Sequence, residues 1–136
     1  MSARKTILIV EDEPDEVSYL GALFEDNGFG VITAVNGQDG FEKAKSQHPD
    51  LITLDISMPE ESGVRMFRDL QNDPDTSGIP VIIITGITHD FKRFLETRKQ
   101  VRPPDGYFDK PPDREQLLAK INEILGAKGR APNQPA

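Results

Sequence analysis

Leu51-Ile52-Thr53-Leu54-Asp55-Ile56-Ser57-Met58-Pro59 opens as a run of β-branched and apolar residues and delivers one carboxylate, Asp55, where the run stops. A continuous apolar run of this length is the pattern of a strand buried on both faces of a parallel sheet. Two other apolar runs also end in chemically pointed residues: Ile7-Leu8-Ile9-Val10 leads into Glu11-Asp12, and Val81-Ile82-Ile83-Ile84 leads into Thr85. A shorter segment, Tyr107-Phe108-Asp109, leads into Lys110. In an open parallel sheet such strand ends lie along one edge, where these folds place their sites.

Between the strands the chain carries helical signals. Pro14 suits a first helical turn, and Val17, Leu20, Leu23 and Phe24 follow at helical spacing as far as Asn27-Gly28. Val31 to Val35 reads as a second strand, and Asn36 as the N-cap of a helix running to about Gln47. Ser62-Gly63 is expected to cap a third helix with a stripe of Val64, Phe67 and Leu70. Thr88 is expected to cap a fourth, carrying Phe91, Phe94 and Leu95, which Arg102-Pro103-Pro104-Asp105-Gly106 breaks. Asp113 and Gln116 resemble a capping box ahead of Leu117, Leu118, Ile121, Ile124 and Leu125. Five strands alternating with five helices predict right-handed βαβ crossovers and a parallel sheet covered on both faces.

Composition narrows the function. A chain of 136 residues is one domain's worth, and 36% hydrophobic with 29% charged residues is a globular balance. The net charge of -7 disfavours non-specific binding to nucleic acid or an anionic membrane, so the expected partners are proteins. Absence of cysteine removes disulfides, thiol chemistry and thiolate zinc sites. The apolar run after Thr6 is too short for a signal peptide or a membrane span, which makes cytoplasmic the expected location. His48 and His89 read as isolated surface imidazoles, and Lys92, Arg93, Arg98, Lys99 and Arg102 as a solvated helix face or a docking surface for an acidic partner.

If the first and third strands are neighbours, about 4.8 Å apart, Asp12 and Glu11 face Asp55 across a short gap. Carboxylates so close repel, and the remedies are a raised pKa or a bound cation. Oxygen donors without His or Cys favour Mg²⁺. Asp55 is then a candidate nucleophile, with Lys110 to compensate charge on a transferring phosphoryl group and Thr85 to donate a hydroxyl.

The ordered set Ile-Val-Glu11-Asp12, Leu-Asp55-Ile-Ser-Met58-Pro59, Ile-Thr85-Gly86 and Tyr107-Phe-Asp-Lys110-Pro111 resembles the receiver domain of two-component response regulators over about residues 5 to 126. The resemblance implies a flavodoxin-like three-layer α/β sandwich with a five-stranded parallel sheet of order 2-1-3-4-5. It further implies that Asp55 is the phosphoacceptor. Asp12, Asp55 and the main-chain carbonyl of Ser57 would bind Mg²⁺ directly, and Glu11 through metal-bound water. Thr85 and Lys110 would contact the phosphoryl group, Tyr107 would be the aromatic whose rotamer follows Thr85, and the Lys110-Pro111 bond would be cis. Ser57 and Ile87 would flank the path of an attacking water, with apolar Ile87 slowing self-dephosphorylation.

The implied function is a phosphorylation switch that takes a phosphoryl group from a histidine kinase or phosphotransfer protein and changes its binding surface toward an unknown downstream protein. It would catalyse its own modification without being a turnover enzyme. The departures from the family pattern are the Arg102-Pro103-Pro104-Asp105 stretch and Ser62 in place of an Asp before Gly63. A phosphorylation-independent adaptor with a relic site is the alternative, and a flavodoxin-like cofactor enzyme is disfavoured because no Gly-rich phosphate loop is present. Residues 127–136 have no apolar period and are expected to form a flexible tail.

Overall fold

The computed structural model describes residues 4–86 and 102–129. The predicted helix after Thr88, the residue Ile87 and the segment 130–136 lie outside the described residues. Five strands, β1 (Thr6–Val10), β2 (Gly30–Ala34), β3 (Leu51–Leu54), β4 (Val81–Thr85) and β5 (Gly106–Asp109), form one parallel sheet of order β2-β1-β3-β4-β5. The described helices are α1 (Pro14–Asp26), α2 (Gly37–Gln47), α3 (Ser62–Asn72) and α4 (Arg114–Gly129).

Alternation along the strands divides the core into two layers. Leu8, Val10, Ile52, Leu54, Val81 and Ile83 pack with Ala44 of α2 and with Met66, Phe67 and Leu70 of α3. The intervening residues Ile7, Ile9, Leu51, Ile82 and Ile84 pack with Leu20 and Phe24 of α1 and with Leu117, Ile121 and Leu125 of α4. Each such apolar side chain contributes about 1.5–3 kcal/mol on burial, which is why the central strands carry almost no polar residues.

The N-terminal edge of the sheet is closed by two aspartates doing the same work. Asp50, just before β3, accepts from the Thr6 amide at 2.8 Å while its own amide donates to the Thr6 carbonyl. Asp105, just before β5, treats Val81 in the same way. Each exchange satisfies a strand-end donor and sets the register from which the opposite edge follows.

Several local expectations need adjustment. β2 begins at Gly30, whose amide donates to the Lys5 carbonyl, and ends at Ala34, leaving Val35 61% exposed outside the ladder. Asn36 does cap α2, accepting from the Asp39 amide at 2.8 Å, and Asp113 accepts from the Gln116 amide at 2.9 Å. Ser62 does not cap α3. A 3-10 turn over Pro59–Glu61 precedes it, and Ser62 already has helical angles (φ -64, ψ -31), whereas a capping residue must be extended. The turn is made by Glu60 at φ 60, a left-handed conformation at a non-glycine position. α4 continues to Gly129, four residues past Leu125, where the apolar spacing ends, and so takes in the first three residues of the expected tail 127–136. The Lys110-Pro111 bond is cis, as the resemblance implies.

Candidate functional site

Each strand that delivers a functional residue is extended by one more main-chain bond at the C-terminal edge. The Glu11 amide donates to the Ala34 carbonyl at 3.0 Å, the Asp55 amide to Val10 at 3.1 Å, and the Lys110 amide to Thr85 at 3.1 Å. The sheet itself therefore fixes the backbones of Glu11, Asp55 and Lys110 relative to one another. Gly63 holds the floor from the helix side: a Cβ there would run into the Asp55 carbonyl oxygen and come within 2.9 Å of the Ile56 Cα. Only glycine lets the start of α3 sit this close to the acidic strand end.

One oxygen each from Glu11, Asp12 and Asp55 lies within 4.8 Å of the others. Glu11 and Asp55 are 2% and 3% exposed, while Asp12 is open to solvent. The Lys110 ammonium stands between the two buried acids, 2.9 Å from Glu11 Oε1 and 3.2 Å from Asp55 Oδ2. Asp55 Oδ1 is held from its own loop: the Ser57 amide donates to it at 2.9 Å and the Ser57 hydroxyl at 2.7 Å.

These contacts divide the acids electrically. Burial pushes Asp55 upward, but the donors from Ser57 and the Lys110 ammonium outweigh it and hold its carboxyl below the usual range. Glu11 is pushed up to about 7, first by burial and also by the negative Asp55, against the pull of Lys110. Lys110 is held above its usual value: burial opposes its charge, and the two acids more than reverse that. The sequence left two remedies for crowded carboxylates, a raised pKa or a bound cation. The protein uses the first at Glu11 and supplies an internal ammonium besides.

Thr85 is fully buried at the end of β4, opposite Asp109, with its carbonyl receiving the Lys110 amide. Tyr107 is half-buried opposite Ile83 and packs against the α2–α3 core layer. Burial, then the charge of Asp109, raises its hydroxyl pKa. The structure thus brings Glu11, Asp12, Asp55, Ser57 and Lys110 into one cluster, ties Thr85 to it through the backbone, and sets Tyr107 in the neighbouring core. Sequence reading assigned Ser57 its carbonyl and a place beside the path of an attacking water, and missed the bond from its hydroxyl to Asp55. The available signal was a serine two residues after an acid, a spacing at which hydroxyls and carboxylates engage local backbone and each other.

A parallel sheet of order 2-1-3-4-5 with an acidic cluster and a lysine at its C-terminal edge defines a CheY-like, flavodoxin-type signalling domain. The response regulator receiver domain model matches residues 7–122, and the chain belongs to that family. Protein PilH of Pseudomonas aeruginosa is 40% identical over 119 residues, covering 88% of this chain and 96% of PilH. Among solved structures, the receiver domain of a signal transduction histidine kinase from Syntrophus aciditrophicus is 30% identical with a TM-score of 0.81, covering 97% of this chain and 98% of that one. The receiver domain of a sensor histidine kinase from Pseudomonas aeruginosa is 25% identical with a TM-score of 0.79, covering 91% of this chain and 99% of that one. Its structure holds a magnesium ion coordinated in the active-site cleft.

Proposed function

We propose that this domain accepts a phosphoryl group on Asp55 from the phosphohistidine of a kinase or phosphotransfer protein, and passes the change to a downstream protein through its surface. One observation carries the reading: Asp12, Glu11 and the Lys110 ammonium converge on the Asp55 carboxylate at a single sheet edge. An oxygen of Asp55 attacks phosphorus, the bond from phosphorus to the donor imidazole nitrogen breaks, and the electron pair returns to that ring. The low pKa of Asp55 keeps the nucleophile ionised throughout the neutral range.

The donor set is all oxygen and includes no His or Cys, which fits Mg²⁺ and disfavours softer metals. Asp12, Asp55 and the Ser57 carbonyl would hold it directly, with Glu11 through water; when bound, Mg²⁺ supplies positive charge against the clustered carboxylates and phosphoryl oxygens. Lys110 and the Thr85 hydroxyl would donate to the phosphoryl oxygens, and Tyr107 would follow Thr85. The magnesium in the related kinase receiver supports this assignment. Among the described residues no helix is long and apolar enough to cross a membrane, and a cytoplasmic location is part of the proposal.

The test is phosphate-affinity gel mobility of the full chain after acetyl phosphate, with and without Mg²⁺. A Mg²⁺-dependent shifted band that Asp55→Asn abolishes supports the reading. An unshifted wild-type protein favours an adaptor that works without phosphorylation.

A further inference from the structure

Asp55 is engaged at both oxygens, by two donors at Oδ1 and by Lys110 at Oδ2. A carboxylate oxygen has two lone-pair directions, and Oδ1 has both filled, by the Ser57 amide at 2.9 Å and the Ser57 hydroxyl at 2.7 Å. Oδ2 faces the Lys110 ammonium at 3.2 Å, so a cation approaching from that side meets like charge. Among the described residues the Oδ1 side is guarded by neutral donors alone. Of these the amide is fixed by the main chain, while the hydroxyl sits on an exposed serine that turns about one side-chain torsion. At 2.7 Å the hydroxyl is within the range of a charge-assisted hydrogen bond to a carboxylate.

We propose that the Ser57 hydroxyl is a positioning group that holds Asp55 Oδ1 in the resting protein, must let go when the site takes up a divalent cation, and thereby weakens cation binding. The inference rests on the metal-dependent reading of Asp55 given above. It concerns the side chain of Ser57 and is separate from the main-chain carbonyl, which any substitution at this position retains. Because the hydroxyl stabilises the cation-free carboxylate, deleting it removes a contact that the cation has to break. Affinity therefore rises when the hydroxyl is lost.

The experiment is calorimetric titration of MgCl₂ into the unphosphorylated full chain for wild type, Ser57→Ala and Ser57→Thr. A charge-assisted hydrogen bond on a solvent-facing group is weakened by water, so the expected effect is a Kd lowered by about threefold to tenfold in Ser57→Ala. Ser57→Thr keeps the hydroxyl and is expected within about twofold of wild type on the same reasoning. The Asp55 carboxyl carbon resonance in cation-free protein should move in Ser57→Ala and stay in Ser57→Thr. A Ser57→Ala Kd equal to or weaker than wild type overturns the proposal, as does a threonine variant that behaves like alanine. Acetyl phosphate labelling run alongside separates the two readings. Loss of labelling with the Ser57→Ala shift intact sinks the acceptor role alone, and intact labelling with no shift sinks the role of Ser57 alone.

Discussion

The Lys110 ammonium lies 2.9 Å from Glu11 Oε1, closer than its 3.2 Å to Asp55 Oδ2, and its side chain is only 15% exposed. In the cation-free protein the lysine is thus the counter-ion of two buried acids at once. Removing it takes that counter-charge from both acids in a poorly solvated edge, which costs more than the pair gains.

Lys110→Met is therefore expected to lower the stability of the cation-free domain by on the order of 2 kcal/mol, seen as a lower midpoint in urea. Added Mg²⁺ should stabilise Lys110→Met more than wild type, because a cation no longer competes with the ammonium. Equal Mg²⁺ stabilisation of the two proteins would show that Lys110 and the cation do not share the acids.

Glu11 gives the domain a pH signature. Its folded pKa of about 7 lies above the ordinary glutamate value of 4.5, so its contribution to stability is full below about 4.5 and is lost as pH rises through about 7. Thermal melts in EDTA should show Tm falling between these limits. Glu11→Gln, which stays neutral, should flatten that fall. A wild-type slope that survives in Glu11→Gln would assign it to other groups.

Backbone contact predicts opposite outcomes for two glycines. In Gly37→Ala the new Cβ would collide with the Ser62 carbonyl at the α2–α3 contact, so a loss of roughly 2 kcal/mol or more is expected. At Gly21, inside α1, a Cβ meets nothing within 4 Å, and Gly21→Ala should stabilise by up to about 1 kcal/mol through helix propensity. Chemical denaturation of the pair checks both. A tolerated Gly37→Ala would mean that α2 and α3 can slide apart.

What the sequence disclosed follows from the kind of physics involved. The strands were legible because a central parallel strand must be apolar on both faces, so Ile7–Val10, Leu51–Leu54 and Val81–Ile84 announce themselves and the residues after them fall at one edge. The convergence of Glu11, Asp12, Asp55 and Lys110 followed from that edge once the strand order was in hand. The Ser62 cap failed because serine before a helix is a local preference, and the Pro59–Glu61 turn had already wound the chain before Ser62 arrived. The roles of Gly37 and Gly63 were invisible because each depends on backbone brought in from another element. The Ser57 hydroxyl contact was not legible for a different reason: whether that hydroxyl turns to Asp55 or to water is settled by the shape of one loop.

The most direct test of the phosphoacceptor claim is chemical trapping at residue 55. Borohydride reduces an aspartyl phosphate to homoserine and leaves a free aspartate untouched. After treatment with acetyl phosphate and Mg²⁺, then borohydride, peptide mass mapping should find homoserine in place of Asp55, and no conversion when Mg²⁺ is replaced by EDTA. An unmodified Asp55, or conversion at another acid such as Asp12, would contradict the account.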